Sequence, residues 1–216
     1  KVGVRSGLYM ASSDEIHLQF IGVGGHGALP ANCVNPLSMA AEVILNAQKI
    51  IDEFHPEGVP TVLSFGRIEG LGSTNVIPSE CTLKGTLRTM DEAWRAEFFE
   101  RFTRFVNEVA TRYGGSVEFN RAPGYPFLKN DPHVTKGVEQ SLKLQLGEAH
   151  VETLPLRMTA EDFAFYSHKV PVCFFRLGVG DPEKAMNYGV HHPKFDIHAD
   201  ALRVGVESML SIVFNG

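Results

Sequence analysis

Residues 15–30 read EIHLQFIGVGGHGALP. The first seven alternate polar with large apolar side chains, the period of a half-buried strand. Six residues, Gly22-Val23-Gly24-Gly25-His26-Gly27, then break it with a glycine-rich turn, and Pro30 follows in a loop. Asn35 before Pro36 is a helix start, a capping side chain ahead of a proline that tolerates the first turn. Leu37, Ala40, Ala41, Ile44, Ala47 and Ile51 recur at helical spacing, so one amphipathic helix is expected over about 36–54. Further out, 61–68 and 81–89 read as strands around a loop with Gly70, Gly72 and Pro78. Thr89 and Glu92 have capping-box spacing, and Trp94, Phe98, Phe102, Phe105 and Val109 form the apolar stripe of a second helix that stops at Gly114-Gly115. A strand over 116–120 completes the order β-α-β-β-α-β across about 13–120. That order is the split βαβ, ferredoxin-like arrangement: an antiparallel sheet with both helices on one face, its edges in need of cover or partners.

Past Pro123 and Pro126 the pattern changes. Asp131-Pro132 opens a helix that ends near Gly147, and 151–156 and 170–177 are short apolar runs with a helical segment from about Ala160 between them. A last helix covers about 199–214. Strand and helix alternate, so 1–12 and 121–216 read as part of a layered α/β catalytic domain into which the 13–120 unit is inserted, α/β plus α+β in class. With few strands of its own, that domain is expected to complete a sheet begun by sequence outside these residues.

Composition bounds the partners. The chain has 216 residues, 44% hydrophobic and 21% charged, as in an ordinary soluble globular protein. A formal charge of −5 with no basic run argues against nucleic acid and against an anionic membrane surface. No apolar run is long enough to span a bilayer. Cys33, Cys81 and Cys173 are far apart and odd in number, which indicates neither a disulfide framework nor a thiolate zinc site and favours the cytoplasm.

Four motifs bear on chemistry. Gly22 to Gly27 fits the dinucleotide fingerprint GxGxxG and follows a strand, with Glu42 twenty residues after Gly22. The context fails, because a fingerprint opens a helix directly. His26 is then either incidental to a turn or an imidazole held on a rigid loop toward a substrate or partner. Thr74-Asn75-Val76-Ile77-Pro78 is a plain loop-to-strand junction, or it presents an amide donor of the oxyanion-binding kind. In Thr159-Ala160-Glu161-Asp162-Phe163, Thr159 and Asp162 have capping-box spacing, which leaves Glu161 unexplained. Finally, His191-His192-Pro193 stands close to Asp196, His198 and Asp200, a donor-rich loop suited to zinc. On an extended chain adjacent residues point to opposite sides, so one ligand is expected there, not a complete site.

Together, Gly24-Gly25-His26-Gly27-Ala28-Leu29-Pro30, Asn75-Val76-Ile77-Pro78, Gly85-Thr86-Leu87-Arg88-Thr89, Ala160-Glu161-Asp162-Phe163 and His191-His192-Pro193 resemble the aminoacylase, hippurate hydrolase and indoleacetyl-amino-acid hydrolase group of zinc amidohydrolases, over nearly the whole chain. The resemblance implies a metallopeptidase-like α/β domain with an inserted ferredoxin-like lid that mediates homodimerisation. The histidine matching His26 would reach into the partner's active site and steady the substrate carboxylate or the oxyanion. Asn75 would line the same pocket, Arg88 would meet the carboxylate, Glu161 would stand in or behind the pocket, and His191 would be a metal ligand.

The same resemblance implies two divalent metal ions, zinc with manganese or cobalt as alternatives, acting on the amide bond of N-acyl amino acids or small peptides. Family members also carry a His-x-Cys-Gly-His-Asp motif, a Glu-Glu pair and a further histidine before the lid, and these 216 residues contain none of them. The chain is therefore expected to be N-terminally truncated, without stably bound metal and inactive by itself. The competing expectation is a non-catalytic dimerisation module.

Overall fold

The apolar side of residues 16–20 becomes the floor of the larger core in the computed structural model, which describes residues 1–181 and 188–215. In chain order the elements are β1 (Val2–Val4), β2 (Gly7–Met10), β3 (Asp14–Ile21), β4 (Gly25–His26), α1 (Pro36–Asn46), α2 (Gln48–Phe54), β5 (Thr61–Glu69), β6 (Val76–Ile77), β7 (Glu80–Thr89), α3 (Glu92–Arg112), β8 (Ser116–Pro123), β9 (Leu128–Asn130), α4 (Pro132–Leu146), β10 (Val151–Thr153), α5 (Ala164–Ser167), β11 (Arg176–Leu177) and α6 (Asp200–Asn215). They form two compact units. One comprises Met10–Leu128 with Met158–Ala164; the other comprises Lys1–Tyr9, Lys129–Arg157 and Phe165–Gly216.

In the first unit a four-stranded sheet has the order β5-β7-β3-β8, every neighbouring pair antiparallel. Ile16, Leu18 and Phe20 of β3 and Leu83 and Leu87 of β7 are buried with Met39, Val43, Ile51, Trp94, Phe98 and Phe102 of the helices in one apolar cluster. The helices therefore cover one face, and the polar residues of the strands line the other. Phe98 stacks on Phe102 with ring centroids 5.5 Å apart, and the Trp94 indole donates to Thr61 Oγ1 at 3.0 Å, so the indole is buried without an orphaned N–H. Burying each such aromatic contributes roughly 1.5–3 kcal/mol.

Local chemistry moves some boundaries. The single helix expected over 36–54 is two: Ala47 N still closes on Val43 O at 2.9 Å, and a tighter turn, Ile50 N to Ala47 O at 3.2 Å, starts α2. The Asn46 side chain donates to Glu42 O at 2.9 Å beside this junction. The helix α3 is capped by Asp91, whose carboxylate accepts from Trp94 N at 2.7 Å. The expected Thr89–Glu92 capping box does not form; Thr89 ends β7 and its hydroxyl meets Thr61 Oγ1 at 3.1 Å. At the other end Gly114 adopts φ +79°, which favours glycine, and Gly115 N closes the helix on Ala110 O.

The second unit is built on a small sheet, β10-β1-β11, with β10 parallel and β11 antiparallel to β1. Helices α4 and α6 pack through small residues, Ser211 Oγ donating to Ser141 O at 3.0 Å. The apolar run 170–177 yields only the two-residue β11, because the buried Asn130 amide takes the backbone groups of Phe174 instead. The run 151–156 likewise yields a strand only to Thr153, two residues ahead of Pro155. The helical segment expected from Ala160 starts at Ala164. Among the described residues no helix is long and apolar enough to cross a membrane.

Candidate functional site

The glycine-rich turn owes its composition to close backbone approaches. A side chain at Gly22 would run into the Val34 carbonyl, and one at Gly24 would lie 2.7 Å from the Ile77 carbonyl oxygen. No α-helix opens on this loop: Gly25–His26 enters a short ribbon with Val76–Ile77, a single 3-10 turn follows at Pro30–Asn32, and α1 begins only at Pro36. Glu42, the acid of the dinucleotide fingerprint, is instead ion-paired with Arg112 at 2.6 Å.

The ribbon brings His26 and Asn75 together. His26 pairs with Val76 across it, and Gly27 N donates to Asn75 O at 2.7 Å. The ring nitrogen Nδ1 of His26 accepts from Ala28 N at 3.1 Å, so a neutral imidazole carries its proton on Nε2. Asn75 Oδ1 accepts from Ser73 Oγ at 3.2 Å, which leaves the amide N–H groups as donors. Each side chain thus keeps a hydrogen-bond donor on an exposed loop, chemistry suited to a carboxylate or a developing oxyanion. The orienting groups, Ala28 N and Ser73 Oγ, lie within two residues of the side chains they fix. Only the turn geometry shows that they do so.

Arg88 does not join this pair. It stands eight residues along β7 from Glu80, the end nearest the ribbon, which is about 26 Å at strand spacing. There it borders a concavity of about 760 Å³ on the open face of the sheet, with Lys84, Arg67, His17 and Thr86. Glu161 lies toward Arg88's end of the sheet: Thr159 O accepts from Ala11 N, and the next residue, Ser12, donates to Thr89 O. Thr159 and Asp162 form no capping box, since the turn into α5 is closed by Ala164 N on Glu161 O at 3.1 Å.

Burial, and then the adjoining Asp162, hold the Glu161 carboxyl above its usual pKa of 4.5. A carboxyl whose ionisation is opposed by burial and a neighbouring acid is a common mark of a working site. As pH rises past 4.5, the unfolded chain gives up the Glu161 proton before the folded chain does, so stability falls across that window. Glu161→Gln is expected to flatten this fall and to be more stable than the parent at pH 7. Urea denaturation at pH 4 and pH 7 checks it, and identical pH dependence in both proteins would refute it.

His191 sits in a left-handed backbone conformation, φ +71°, within a turn. The extended-chain argument for separating the two histidines therefore does not apply here. The His192 ring lies flat on Tyr188, centroids 4.1 Å apart, and its Nδ1 accepts from Lys194 N. His191 is exposed and makes no side-chain hydrogen bond among the described residues. Nor do those residues gather three His, Cys, Asp or Glu side chains where one ion could be held. As they stand they do not fit a metal pair.

The sheet unit, the donor ribbon and the histidine turn together mark a class. Residues 9–215 match the family model of peptidase family M20/M25/M40, and the chain belongs to that family. The N-acetylcysteine deacetylase of Bacillus subtilis is 31% identical over 204 residues, covering 94% of this chain and 52% of that protein. A solved structure from methicillin-resistant Staphylococcus aureus superposes with a TM-score of 0.81 at 27% identity, over 99% of this chain and 55% of the other. A dinuclear metal-binding peptidase of the M20 family from Bacillus subtilis gives 0.71 at 26% identity, over 98% and 52%. The chain spans about half the length of the curated relatives it matches.

Proposed function

We propose that the protein hydrolyses the amide bond of N-acyl amino acids or small peptides, with the Met10–Leu128 unit as a ferredoxin-like lid. The observation that carries the reading is the donor pair: His26 Nδ1 and Asn75 Oδ1 are both engaged as acceptors, so Nε2–H and the amide N–H groups are free to grip a carboxylate or oxyanion. Related proteins bear names in keeping with such chemistry, an N-acetyldiaminopimelate deacetylase of Lactobacillus helveticus and a thermostable carboxypeptidase of Saccharolobus solfataricus among them. Arg88 and Glu161 are assigned to substrate binding at the other end of the sheet, where Arg88 offers a guanidinium to a carboxylate. His191 is the residue of this chain that would bind a divalent ion, zinc, manganese or cobalt, through a neutral imidazole. Such an ion supplies Lewis acidity and an acidified water when bound. With one ligand from this chain, the 216 residues by themselves are assigned no turnover. The decisive experiment is the His26→Ala variant of the whole protein, argued in the Discussion.

A dimerising role belongs to the same proposal. Strand β5 is an edge of its sheet, with Val62 and Ile68 exposed on it, and an edge of that kind invites a second chain. Two-fold pairing there is expected to give a homodimer at micromolar concentration in light scattering. A monomer throughout that range would remove the dimer from the proposal.

A further inference from the structure

Tyr9 is fully buried, and its hydroxyl is the one buried side-chain polar atom of the described residues that lacks a hydrogen-bond partner. Leaving such a group unsatisfied costs about 1–3 kcal/mol, so each instance asks for an explanation. Three arginines surround it. Arg5 is anchored through Nε on Leu8 O at 2.7 Å and Nη1 on Leu154 O at 3.0 Å. Arg157 N donates to Tyr9 O at 2.9 Å, which fixes its backbone beside the tyrosine. Arg176 lies two residues beyond Phe174, whose ring meets that of Tyr9 with centroids 6.1 Å apart.

Among the described residues none of the three guanidiniums has a carboxylate partner. Burial pushes the Tyr9 phenol up from its ordinary pKa, and the charges of Arg176, Arg157 and Arg5 work against that rise, so all three act on the same oxygen. Arg176 bears on the hydroxyl both as a charge and as a hydrogen-bond donor at the margin of contact, which leaves the hydroxyl's own proton without an acceptor. By contrast, the buried Arg95 and the half-buried Arg121 are neutralised by sharing Asp14. A hydroxyl donor without an acceptor, beside three cations without an anion, is the complement of a carboxylate.

We infer that Tyr9, Arg157 and Arg176, with Arg5 behind them, form a binding site for the carboxylate of a small molecule. One carboxylate oxygen accepts the Tyr9 O–H while the guanidiniums hold the charge. Arg157 is exposed and Arg176 partly so, which lets an anion reach the site from solvent. From Arg176 the chain runs on to Val179, whose carbonyl anchors His198 N of the loop carrying His191 at 2.9 Å. On the hydrolase reading above, on which this last step rests, the preferred substrate bears a carboxylate that this site takes, as in an acidic N-acyl amino acid.

The test uses the 216-residue chain and sodium glutarate as probe, against sodium chloride at matched ionic strength. Glutarate is expected to raise the melting temperature and to shift the arginine Nε–H resonances with saturation. Arg176→Met and the more exposed Arg157→Met should each weaken binding by about 10-fold or more, the order of one charge-assisted contact. Tyr9→Phe should weaken it several-fold while raising the melting temperature without glutarate, because the orphaned hydroxyl is gone. Equal glutarate effects in all four proteins, or a Tyr9→Phe variant less stable than the parent, would overturn the site and leave a trapped water as the hydroxyl's partner. Turnover is not needed: a protein that binds glutarate in this way and hydrolyses no amide keeps the site and loses the function proposed above.

Discussion

Asp14→Ala is expected to destabilise the first unit by about 3–5 kcal/mol, a large part of the roughly 5–15 kcal/mol that holds a domain folded. The carboxylate is buried and accepts from Arg95 Nε at 2.6 Å, Arg95 Nη2 at 3.0 Å and Arg121 Nε at 2.9 Å. Arg95 is itself buried, 5% exposed, so truncation strands a guanidinium in the interior with only Glu92 and carbonyls to meet it. The cost lies in that stranded charge more than in the lost attraction, since removing one partner of a buried pair exceeds the worth of the pair. The residues joined are the start of β3, the first turn of α3 and the end of β8, so three elements loosen at once. Urea denaturation followed by tryptophan fluorescence reads the effect, because Trp94, the single tryptophan, lies in this unit. The exposed pair Arg67–Glu69 is the control: Glu69→Ala should leave the midpoint where it is. A loss below about 1 kcal/mol for Asp14→Ala would show that solvent or neighbouring acceptors replace the carboxylate.

In the whole protein His26→Ala is expected to lower kcat/KM toward N-acyl amino acids by about 100-fold or more, the effect of removing one oxyanion donor. Its folding should be unaffected. The ring is exposed and makes one hydrogen bond, from Ala28 N, and no apolar cluster includes it. Asn75→Ala should follow the same pattern, because its amide is the neighbouring donor. If the two act on one oxygen, the double variant should lose less than the product of the single losses. Near-normal turnover by His26→Ala with an unchanged melting temperature would remove the ribbon from the active site and the proposed function with it.

The sequence alone determined the architecture of the first unit. Its strands and helices are long enough for the periods of two and of 3.6 to repeat several times, as Ile16, Leu18 and Phe20 or Trp94, Phe98 and Phe102 show. It also singled out His26 and Asn75, because glycines and a proline around polar side chains mark loops that a core does not explain. The cap of α3 was decided by competition among near neighbours, Asp91 over Thr89. Short elements escaped notice, since β1 and β2 have only three and four residues and no period to detect.

Other features belong to tertiary structure outright. That Arg88 stands about 26 Å from the ribbon follows from strand direction and register, which no local pattern encodes. Tyr9, Arg5, Arg157 and Arg176 are spread over more than 170 positions of sequence and look unrelated until the chain folds. Asp14 reads as the polar start of an amphipathic strand, and only packing turns it into the buried centre of two arginines. The division is physical. Side-chain period, turn chemistry and capping act over a few residues and are written in order along the chain, whereas burial and charge pairing depend on which distant segments fill the same space.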